Sequence, residues 1–290
     1  MGPDPDSDKF TSNLGALASG RRGGGSPALD PRPGRVSLRR APQAFEFPMA
    51  KILAGSQAAD AAAVASAKLL IRLARTGALA TLEREGGPLT TLVGVASDFD
   101  GAPLLLMSAL SRHTRNLAHD DRASLLLTER RDRGDPLNHP RLTLGGRIER
   151  CPDPRARLRY LRRNPKARLY SGFADFAHFR LAIESVHFNG GFGRASLMTR
   201  ADILASREGE EELSQAEQRL IDEVNARERA VRAQLAERRR GGRRDWRAVG
   251  LDGEGLDLAC GGRAARAQFP SPAQDEASWR ARIDELLGAG

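Results

Sequence analysis

The spacing of apolar residues changes along the chain, and each change predicts a different kind of element. Leucines on one helical face lie within Ser56–Thr76, which predicts a helix that Ser56 caps and Gly77 ends. Short apolar runs bounded by turn residues follow and predict strands. These strands are expected at Ala78–Arg84, Leu89–Ala96, Pro103–Ser108, Ala123–Thr128, Arg141–Arg150 and Arg180–Phe188. Short helices are expected at Arg115–His119, Pro154–Arg163 and Phe173–His178.

The pattern changes again in the last third of the chain. A capping box at Ser214 and Glu217 predicts a long helix to about Arg239. Three short strands and a closing helix are expected after it, at Trp246–Leu251, Leu256–Cys260, Ala264–Phe269 and Ala273–Leu287. We therefore expect an α+β protein in which a small antiparallel β-barrel with helical plugs, residues 56–205, precedes a small α+β domain, residues 206–290.

Residues 1–55 are rich in Gly, Pro, Ser and Arg and show no sustained period. Such a segment buries too little apolar surface to offset the entropy of ordering it, so we predict a disordered N-terminal extension. Met49, which Ala50 and Lys51 follow, is a candidate start of the protein.

Charge and composition narrow the classes of protein that fit. The chain of 290 residues has a net charge of +9, but much of that charge lies in the first fifty positions and in Arg227–Arg247, where acidic residues interrupt it. We therefore expect no nucleic-acid partner. No apolar run reaches the roughly 20 residues of a membrane span, so we expect no membrane partner. Cys151 and Cys260 are far apart in sequence, which favours reduced thiols in the cytoplasm.

The stretch Leu104–Leu117 carries the most candidate chemistry. An apolar strand leads into Ser108, and Ser111, Arg112 and His113 then precede a short helix that is expected to open at Thr114. The first backbone N–H groups of a helix lack acceptors, and the helix dipole favours an anion there. Arginine adds a planar pair of donors that matches phosphate oxygens. This turn is therefore a candidate phosphate site, and the alternative is an ordinary solvated turn between a strand and a helix.

Several segments occur in an order that resembles a known family. They are Gly77–Leu82, Ser108–Leu117 with Asp121–Leu125, Pro140–Arg147 and Gly190–Ala195. Together they resemble the pyridoxamine 5′-phosphate oxidase-like FMN-binding split barrels, specifically the haem-utilisation branch, and the resemblance extends over roughly residues 65–288. It implies an FMN-binding split β-barrel followed by a small α/β C-terminal domain. It also implies a homodimer that builds its flavin site at a two-fold interface.

The resemblance assigns residues to the flavin. The FMN phosphate would lie against the strand-to-helix turn, whose residues are Ser108, Ser111, Arg112, His113, Thr114 and Asn116. The oxidase has a lysine at the position of His113 and an arginine at that of Thr91, so both differences predict weaker flavin binding here. Arg141 stands where the oxidase has a glutamine near the flavin ring, and Thr143 shares its strand face. The alternative for Arg141 is a surface cation at the start of a strand.

Haem is the second ligand that the resemblance implies, as a substrate or as a bound group. Some haem-degrading members carry the iron-binding histidine where this chain has Ser196. His187 is a weak candidate for a replacement, and its alternative is a structural histidine in a strand. The family's C-terminal domain usually has a His-Met-Asn-x-Asp-His run, of which only Asn225 remains here, so we expect the role of that run to be lost. No other metal site is expected.

Two functions follow from the resemblance. The first is a flavin-dependent oxidoreductase that acts on a small substrate or on haem. The flavin would supply the redox chemistry, since no acid–base pair or nucleophile triad stands out in the sequence. The second is a non-enzymatic binding or regulatory protein of the haem and tetrapyrrole pathway, which the missing histidines favour. Pyridoxamine phosphate oxidase activity itself is not expected, because the substrate-phosphate residues of that enzyme are not recognisable.

Overall fold

Residues 57–58, 60–128, 134–191, 194–227 and 245–288 are described by the computed structural model. Within these ranges nine strands form the larger of two sheets. They are β1 (Gln57–Ala58), β2 (Thr76–Leu82), β3 (Pro88–Gly94), β4 (Ala96–Ser97), β5 (Pro103–Ser108), β6 (Arg122–Thr128), β7 (Arg141–Arg150), β8 (Phe176–Asn189) and β9 (Ala195–Met198).

The long strand β8 makes the sheet curl. The strand order is β1-β9-β8-β7-β6-β2-β3, and β5 pairs with both β4 and β8. The first part of β8, from Phe176 to Arg180, is antiparallel to β5, whereas the part from Phe179 to Asn189 is antiparallel to β7. Because one strand serves both halves, the sheet adopts the predicted split-barrel arrangement.

Strand alternation places one set of apolar side chains on the inner face of this sheet. Leu79, Leu125 and Val186 belong to a single buried cluster there. Helix α1 (Ala61–Leu73) covers that face and contributes Ile71, which is 1% exposed. The barrel core is therefore aliphatic, as the low aromatic content of 5% requires.

The remaining elements of the barrel are short. They are helices α2 (Arg112–Leu117), α3 (Pro154–Arg163) and α4 (Arg200–Ile203), and 3-10 turns at Pro136–Asn138 and Pro165–Leu169. Helix α2 packs against β2 and β3, and its Leu117 joins the buried cluster of the barrel, so it is a helical plug of the predicted kind. In the described ranges, no helix is both long enough and apolar enough to cross a bilayer.

A second, three-stranded sheet follows the barrel. Its strands are β10 (Arg247–Asp252), β11 (Gly255–Cys260) and β12 (Arg263–Gln268), in that order and antiparallel. Helices α5 (Glu210–Ala226) and α6 (Glu276–Gly288) accompany it. Trp279 and Leu220 are buried in a core that is separate from that of the barrel. The α+β fold class predicted from the sequence is thus confirmed.

A buried network of charged side chains joins the barrel to the second sheet. Arg72 of α1 lies 3.2 Å from one carboxylate oxygen of Asp252, and the other oxygen accepts a hydrogen bond from Arg266 at 2.7 Å. Arg266 also donates to Asp257 at 2.8 Å. Asp252 is 0% exposed and Arg72 is 4% exposed, so these charges neutralise one another without water.

A second buried ion pair lies at the same junction. Arg159 of α3 donates to the carboxylate of Glu217 on α5 at 2.6 Å and to the backbone C=O of Leu251 at 2.8 Å. Both charged residues are buried. The C-terminal sheet is therefore attached to the barrel by directional contacts as well as by apolar packing.

One predicted helix is wrong. Phe173–His178 is expected to be a short helix from the sequence, but it consists of turns followed by the first residues of β8. The backbone of Phe176 pairs with that of Ser108, and the backbone C=O of Asp175 accepts from the N–H of Ala109 at 2.7 Å. Pairing with a distant strand overrides the local periodicity here.

Four predicted helix starts are also wrong, including that of α2, which begins at Arg112 and not at Thr114 or Arg115. Helix α1 begins after Asp60, whose carboxylate accepts from the N–H of Ala63 at 2.7 Å, rather than at Ser56. Helix α5 begins at Glu210, because three glutamates favour the positive end of a helix, so Ser214 is interior. Helix α6 begins at Glu276 and not at Ala273. Ser56, residues 1–55, the loop residues 129–133 and the predicted continuation of the long helix to Arg239 lie outside the described residues.

Candidate functional site

The predicted phosphate turn joins β5 to α2. Ser111 is the N-cap residue of α2, but its side chain makes no capping hydrogen bond. Among the described residues, no backbone group accepts from the N–H groups of Arg112, His113 or Thr114. These three amides and the Ser111 hydroxyl are therefore available to an anion, which fits the phosphate that the sequence predicts here.

Side chains of the turn are tied to the β2–β3 hairpin. Nδ1 of His113 shares a hydrogen bond with the Thr91 hydroxyl at 3.0 Å. Burial lowers the pKa of His113 below its ordinary value, so the imidazole is neutral near pH 7. Arg112 forms an ion pair with Glu83 at 2.7 Å, and a phosphate must compete with that carboxylate for the guanidinium. The one fixed positive charge of the turn is thus already partly neutralised.

The other side chains predicted to bind the phosphate are either hydrogen-bonded within the protein or buried. The hydroxyl of Ser108 donates to the Asp175 carboxylate and accepts from the N–H of Leu110 at 3.0 Å. Asn116 donates to the hydroxyl of Thr81 at 3.1 Å and so fixes α2 on β2. The hydroxyl of Thr114 is buried, with no hydrogen-bond partner among the described residues. The structure therefore brings together Thr91, Ser111, Arg112 and His113 at the accessible part of the turn.

A second group of predicted residues lies on the outer face of the barrel sheet. Register pairs cross six strands in one line, which we call the outer row. Its members are Leu197, His187, Thr143, Leu126, Ala78 and Leu92. Their strand neighbours point to the buried inner face, so the outer row faces away from the core. Three of its members are exposed leucines, with Leu92 at 75% and Leu126 and Leu197 at 37% each.

His187 is the member of the outer row that β8 contributes. It is exposed, and it has no hydrogen-bond or ionic partner among the described residues. Thr143 and Leu197 are its direct cross-strand neighbours. The next register pair on this face is Gly145 and Ser185, which are both small. A Cβ at Gly145 would collide with the hydroxyl of Ser185, so a larger residue does not fit there. A flat ligand could therefore approach the imidazole from the side of Gly145 and Ser185, where the neighbouring side chains are small.

Arg141 shares the outer face with Thr143, two positions before it on β7. One of its guanidinium N–H groups donates to the backbone C=O of Leu137 at 2.8 Å. An arginine has five N–H donors, so the remaining donors can bind a carboxylate or a phosphate.

The two groups of predicted residues lie on opposite faces of one sheet. Thr91 pairs with the buried Leu79, which places it on the inner side, where α2 also packs. Arg141, Thr143 and His187 are on the outer side. Within one chain the sheet therefore separates the phosphate turn from the outer row.

Two departures from the family pattern have structural explanations. Ser196 pairs with the buried Phe188, so it faces the inner side, whereas His187 faces the outer side. His187 is consequently no positional substitute for a histidine at 196. Asn225, which survives from the histidine-rich run, exchanges two hydrogen bonds with the backbone of Ala248, at 2.9 and 3.1 Å. This residue holds α5 against β10 and needs no ligand to explain it.

Sequence reasoning missed two contributors to these sites. Glu83 competes for Arg112, and the outer leucines, especially Leu92, make the outer row apolar. Leu92 carried a usable signal, because it breaks the polar side of the alternation in β3. Glu83 gave no signal in the sequence, because its partner Arg112 lies on a different element. In the described parts of the chain, no group of three or more His, Cys, Asp or Glu residues could hold a metal ion, and Cys151 and Cys260 are free thiols.

The family assignment rests on the barrel. A family model described as CREG, beta-barrel matches residues 57–204, which include every strand of the larger sheet. This chain belongs to the CREG β-barrel family. The predicted resemblance to the oxidase-like split barrels is confirmed at this level.

Individual relatives of this CREG β-barrel protein add detail. The protein Atu2129 (unknown function) of Agrobacterium tumefaciens is 33% identical, with a TM-score of 0.70, and the match covers 80% of this chain and 96% of that one. A heme binding protein from Mycobacterium smegmatis is 28% identical over 80% of this chain and 98% of that one, with a TM-score of 0.48.

A curated relative carries a functional name. The non-canonical heme oxygenase HOZ, chloroplastic, of Arabidopsis thaliana is 32% identical over 128 residues, which are 42% of this chain and 38% of that protein. The chain thus spans about two fifths of the length of the curated relative that it matches.

Proposed function

We propose that this CREG β-barrel protein binds haem on its outer face and acts in haem utilisation. The observation that carries the proposal is the exposed imidazole of His187, which has no partner among the described residues and lies between apolar and small side chains. The name of the Arabidopsis relative, a non-canonical heme oxygenase, supports the same ligand. Haem iron, when bound, supplies the chemistry of oxygen binding and activation.

The residues of the outer row suit this ligand in separate ways. A ring nitrogen of His187 would offer its lone pair to iron. Leu126 and Leu197 would exclude water from the faces of an apolar ring. Arg141, with donors to spare, would bind a carboxylate at the edge of the ligand. These roles require no catalytic acid or base from the protein.

Titration of the purified chain with haem, followed by its Soret absorption, tests the proposal. A saturable, sharpened and shifted Soret band is the expected result, and a spectrum identical to that of haem in buffer contradicts it. Addition of a chemical reductant in air then distinguishes an enzyme that degrades haem from a protein that only carries or senses it. Loss of the Soret band indicates that haem is degraded, whereas its persistence indicates a carrier or a regulatory protein.

A second candidate function is flavin binding at the turn between β5 and α2. It is favoured by the three backbone amides and the Arg112 guanidinium that this turn presents. Ser111 and Thr91 would add hydroxyl donors, and His113 would donate without a charge at neutral pH. The flavin, when bound, supplies redox chemistry that the protein's own side chains lack.

Glu83→Gln should strengthen FMN binding severalfold, because it frees Arg112 from its ion pair. Arg112→Ala should weaken FMN binding roughly tenfold or more, since a hydrogen bond to a charged group contributes about 1.5–3 kcal/mol. Quenching of flavin fluorescence measures both affinities. Glu85→Gln, in the same hairpin, is the matched control and should change nothing. If neither Glu83→Gln nor Arg112→Ala alters the affinity, the phosphate does not bind at this turn.

The protein is further proposed to be a homodimer through the outer row. Adjacent strands are about 4.8 Å apart, so a line across six strands extends over roughly 24 Å, which is more than one small ligand covers. A second copy of the chain would bury the part of the outer row that the ligand leaves uncovered, including Leu92.

Leu92→Asp should therefore weaken the dimer by at least roughly tenfold, because it places a charge in an apolar contact. Light scattering across a concentration series measures the shift from two chain masses to one. Asp284→Leu, at an exposed position on α6, is a control for altered surface charge. A wild-type protein that stays monomeric at micromolar concentration contradicts the dimer.

A further inference from the structure

Three large apolar side chains are exposed in one short segment between α3 and β8. Leu169 is 81% exposed, Phe173 60% and Tyr170 38%. They belong to what we call the knob, residues 165–175, which consists of the second 3-10 turn and the turns that lead into β8. Single exposed leucines are ordinary on protein surfaces, but such a concentration marks an interaction site.

Backbone hydrogen bonds hold the knob in this shape. The N–H of Ser171 donates to the C=O of Ala167 at 2.8 Å, and the N–H of Phe173 donates to the C=O of Tyr170 at 3.0 Å. Ala167 is buried, and the rings of Tyr170 and Phe176 pack with centroids 5.0 Å apart. The backbone of the knob is therefore fixed at its base, and the ring of Phe173 also packs against that of Phe176, with centroids 6.5 Å apart.

The apolar surface continues onto the neighbouring β5–α2 turn. The backbone C=O of Asp175 accepts from the N–H of Ala109 at 2.7 Å, which fixes the two segments side by side. The next residue, Leu110, is 74% exposed. Leu110 and the knob thus present four apolar side chains on adjoining turns.

The charges of the knob are almost all positive. Lys166 and Arg168 are exposed, and no carboxylate in the described ranges forms an ion pair with either of them. Asp175 is the one acidic residue of the knob, and its carboxylate accepts from the hydroxyl of Ser108. The apolar patch is therefore flanked by two cations whose charge the protein does not neutralise.

This charge pattern selects the kind of partner. In a two-fold dimer through the knob, Lys166 and Arg168 would face the same cations of the second copy, which is unfavourable. An anionic partner would instead neutralise the charges of Lys166 and Arg168. Leucine and aromatic side chains combined with lysine and arginine are typical of protein segments that enter the headgroup region of a bilayer.

We propose that the knob docks the protein on an anionic lipid surface. Leu169, Tyr170 and Phe173 enter the boundary between headgroups and acyl chains, and Lys166 and Arg168 contact lipid phosphates. This peripheral contact requires no membrane span, and the variants that test it change no residue of the outer row or of the phosphate turn.

Flotation of the full chain with vesicles tests the docking. Vesicles of phosphatidylcholine with phosphatidylglycerol should carry the protein, vesicles of phosphatidylcholine alone should not, and added salt should weaken the binding. Leu169→Ser with Phe173→Ser should reduce partitioning roughly tenfold, because less apolar surface leaves water. Lys166→Gln with Arg168→Gln should reduce it by a similar factor, roughly tenfold.

Matched controls separate the knob from general surface chemistry. Leu137→Ser removes another leucine that is 66% exposed, and Arg84→Gln with Arg263→Gln removes two exposed cations elsewhere. Both controls should bind vesicles like the wild type. Since the knob side chains are exposed, the variants should keep the wild-type circular dichroism and melting temperature.

Several outcomes would overturn the proposal. Equal flotation with neutral and anionic vesicles would exclude the charge contribution, and undiminished flotation of either knob variant would place the contact elsewhere. Absence of any flotation combined with knob-dependent binding to poly-glutamate would favour an acidic protein partner. A change in oligomeric state in the knob variants would instead indicate a contact between copies of the chain.

Discussion

Replacing Asp252 with Asn is expected to destabilise the protein by roughly 3–5 kcal/mol, since it leaves two buried guanidinium groups without their shared counter-charge. Arg72 and Arg266 both contact this carboxylate, and none of the three groups can reach water. A loss of that size lowers the melting temperature of a protein of this length by on the order of 10 °C. Urea unfolding followed by circular dichroism measures the change.

An exposed ion pair provides the control for this variant. Asp284→Ala removes the partner of Arg227 at the surface, where water screens the charges, and should hardly change unfolding. If Asp252→Asn is as stable as this control, the buried network contributes nothing and the junction is held by apolar packing alone.

The same buried network predicts how the difference in stability between the wild type and Asp252→Asn depends on pH. Burial alone would raise the pKa of Asp252, but Arg266 and Arg72 outweigh it and hold the pKa well below its ordinary value. A carboxylate with a depressed pKa stabilises the folded state above the pKa of the unfolded chain, and that contribution is lost as the pH falls towards the folded value. The stability difference between wild type and Asp252→Asn should therefore be constant near neutral pH and shrink in strong acid.

Local patterns were sufficient to predict the fold. The change from helical to strand period after α1, and the glycine-containing turns between strands, are short-range signals that the structure follows. The wrong helix starts have local causes, such as the Asp60 cap, but the wrongly predicted helix has a long-range one. Phe173–His178 looks helical by itself, and only the pairing of Phe176 with Ser108, far away in sequence, makes it the entry to a strand.

The sites were predictable only in part. The turn at Ser111–Thr114 is a candidate from sequence because strand, hydroxyl and arginine are contiguous, whereas the hydrogen bond between Thr91 and His113 is seen only in the structure. The separation of this turn from Thr143 and His187 could not be predicted, because it depends on which face of the sheet each residue occupies. A shift of one residue in register would reverse every such assignment.

His187→Ala is expected to weaken haem binding by roughly a hundredfold or more, because loss of a metal-binding residue costs at least as much as loss of the groups that support one. His187 is exposed and has no partner among the described residues, so the variant should fold like the wild type. His119→Ala, which removes another exposed histidine, is the matched control. Free imidazole should restore binding to the His187 variant, since it can take the vacated position at iron.

The most direct measurement is a haem titration of wild type, His187→Ala and His119→Ala, followed by Soret absorption. Haem binding on the outer face predicts a saturable shift for the wild type and for His119→Ala, and little or no shift for His187→Ala until imidazole is added. An identical Soret band and affinity for His187→Ala and the wild type would contradict the proposed site.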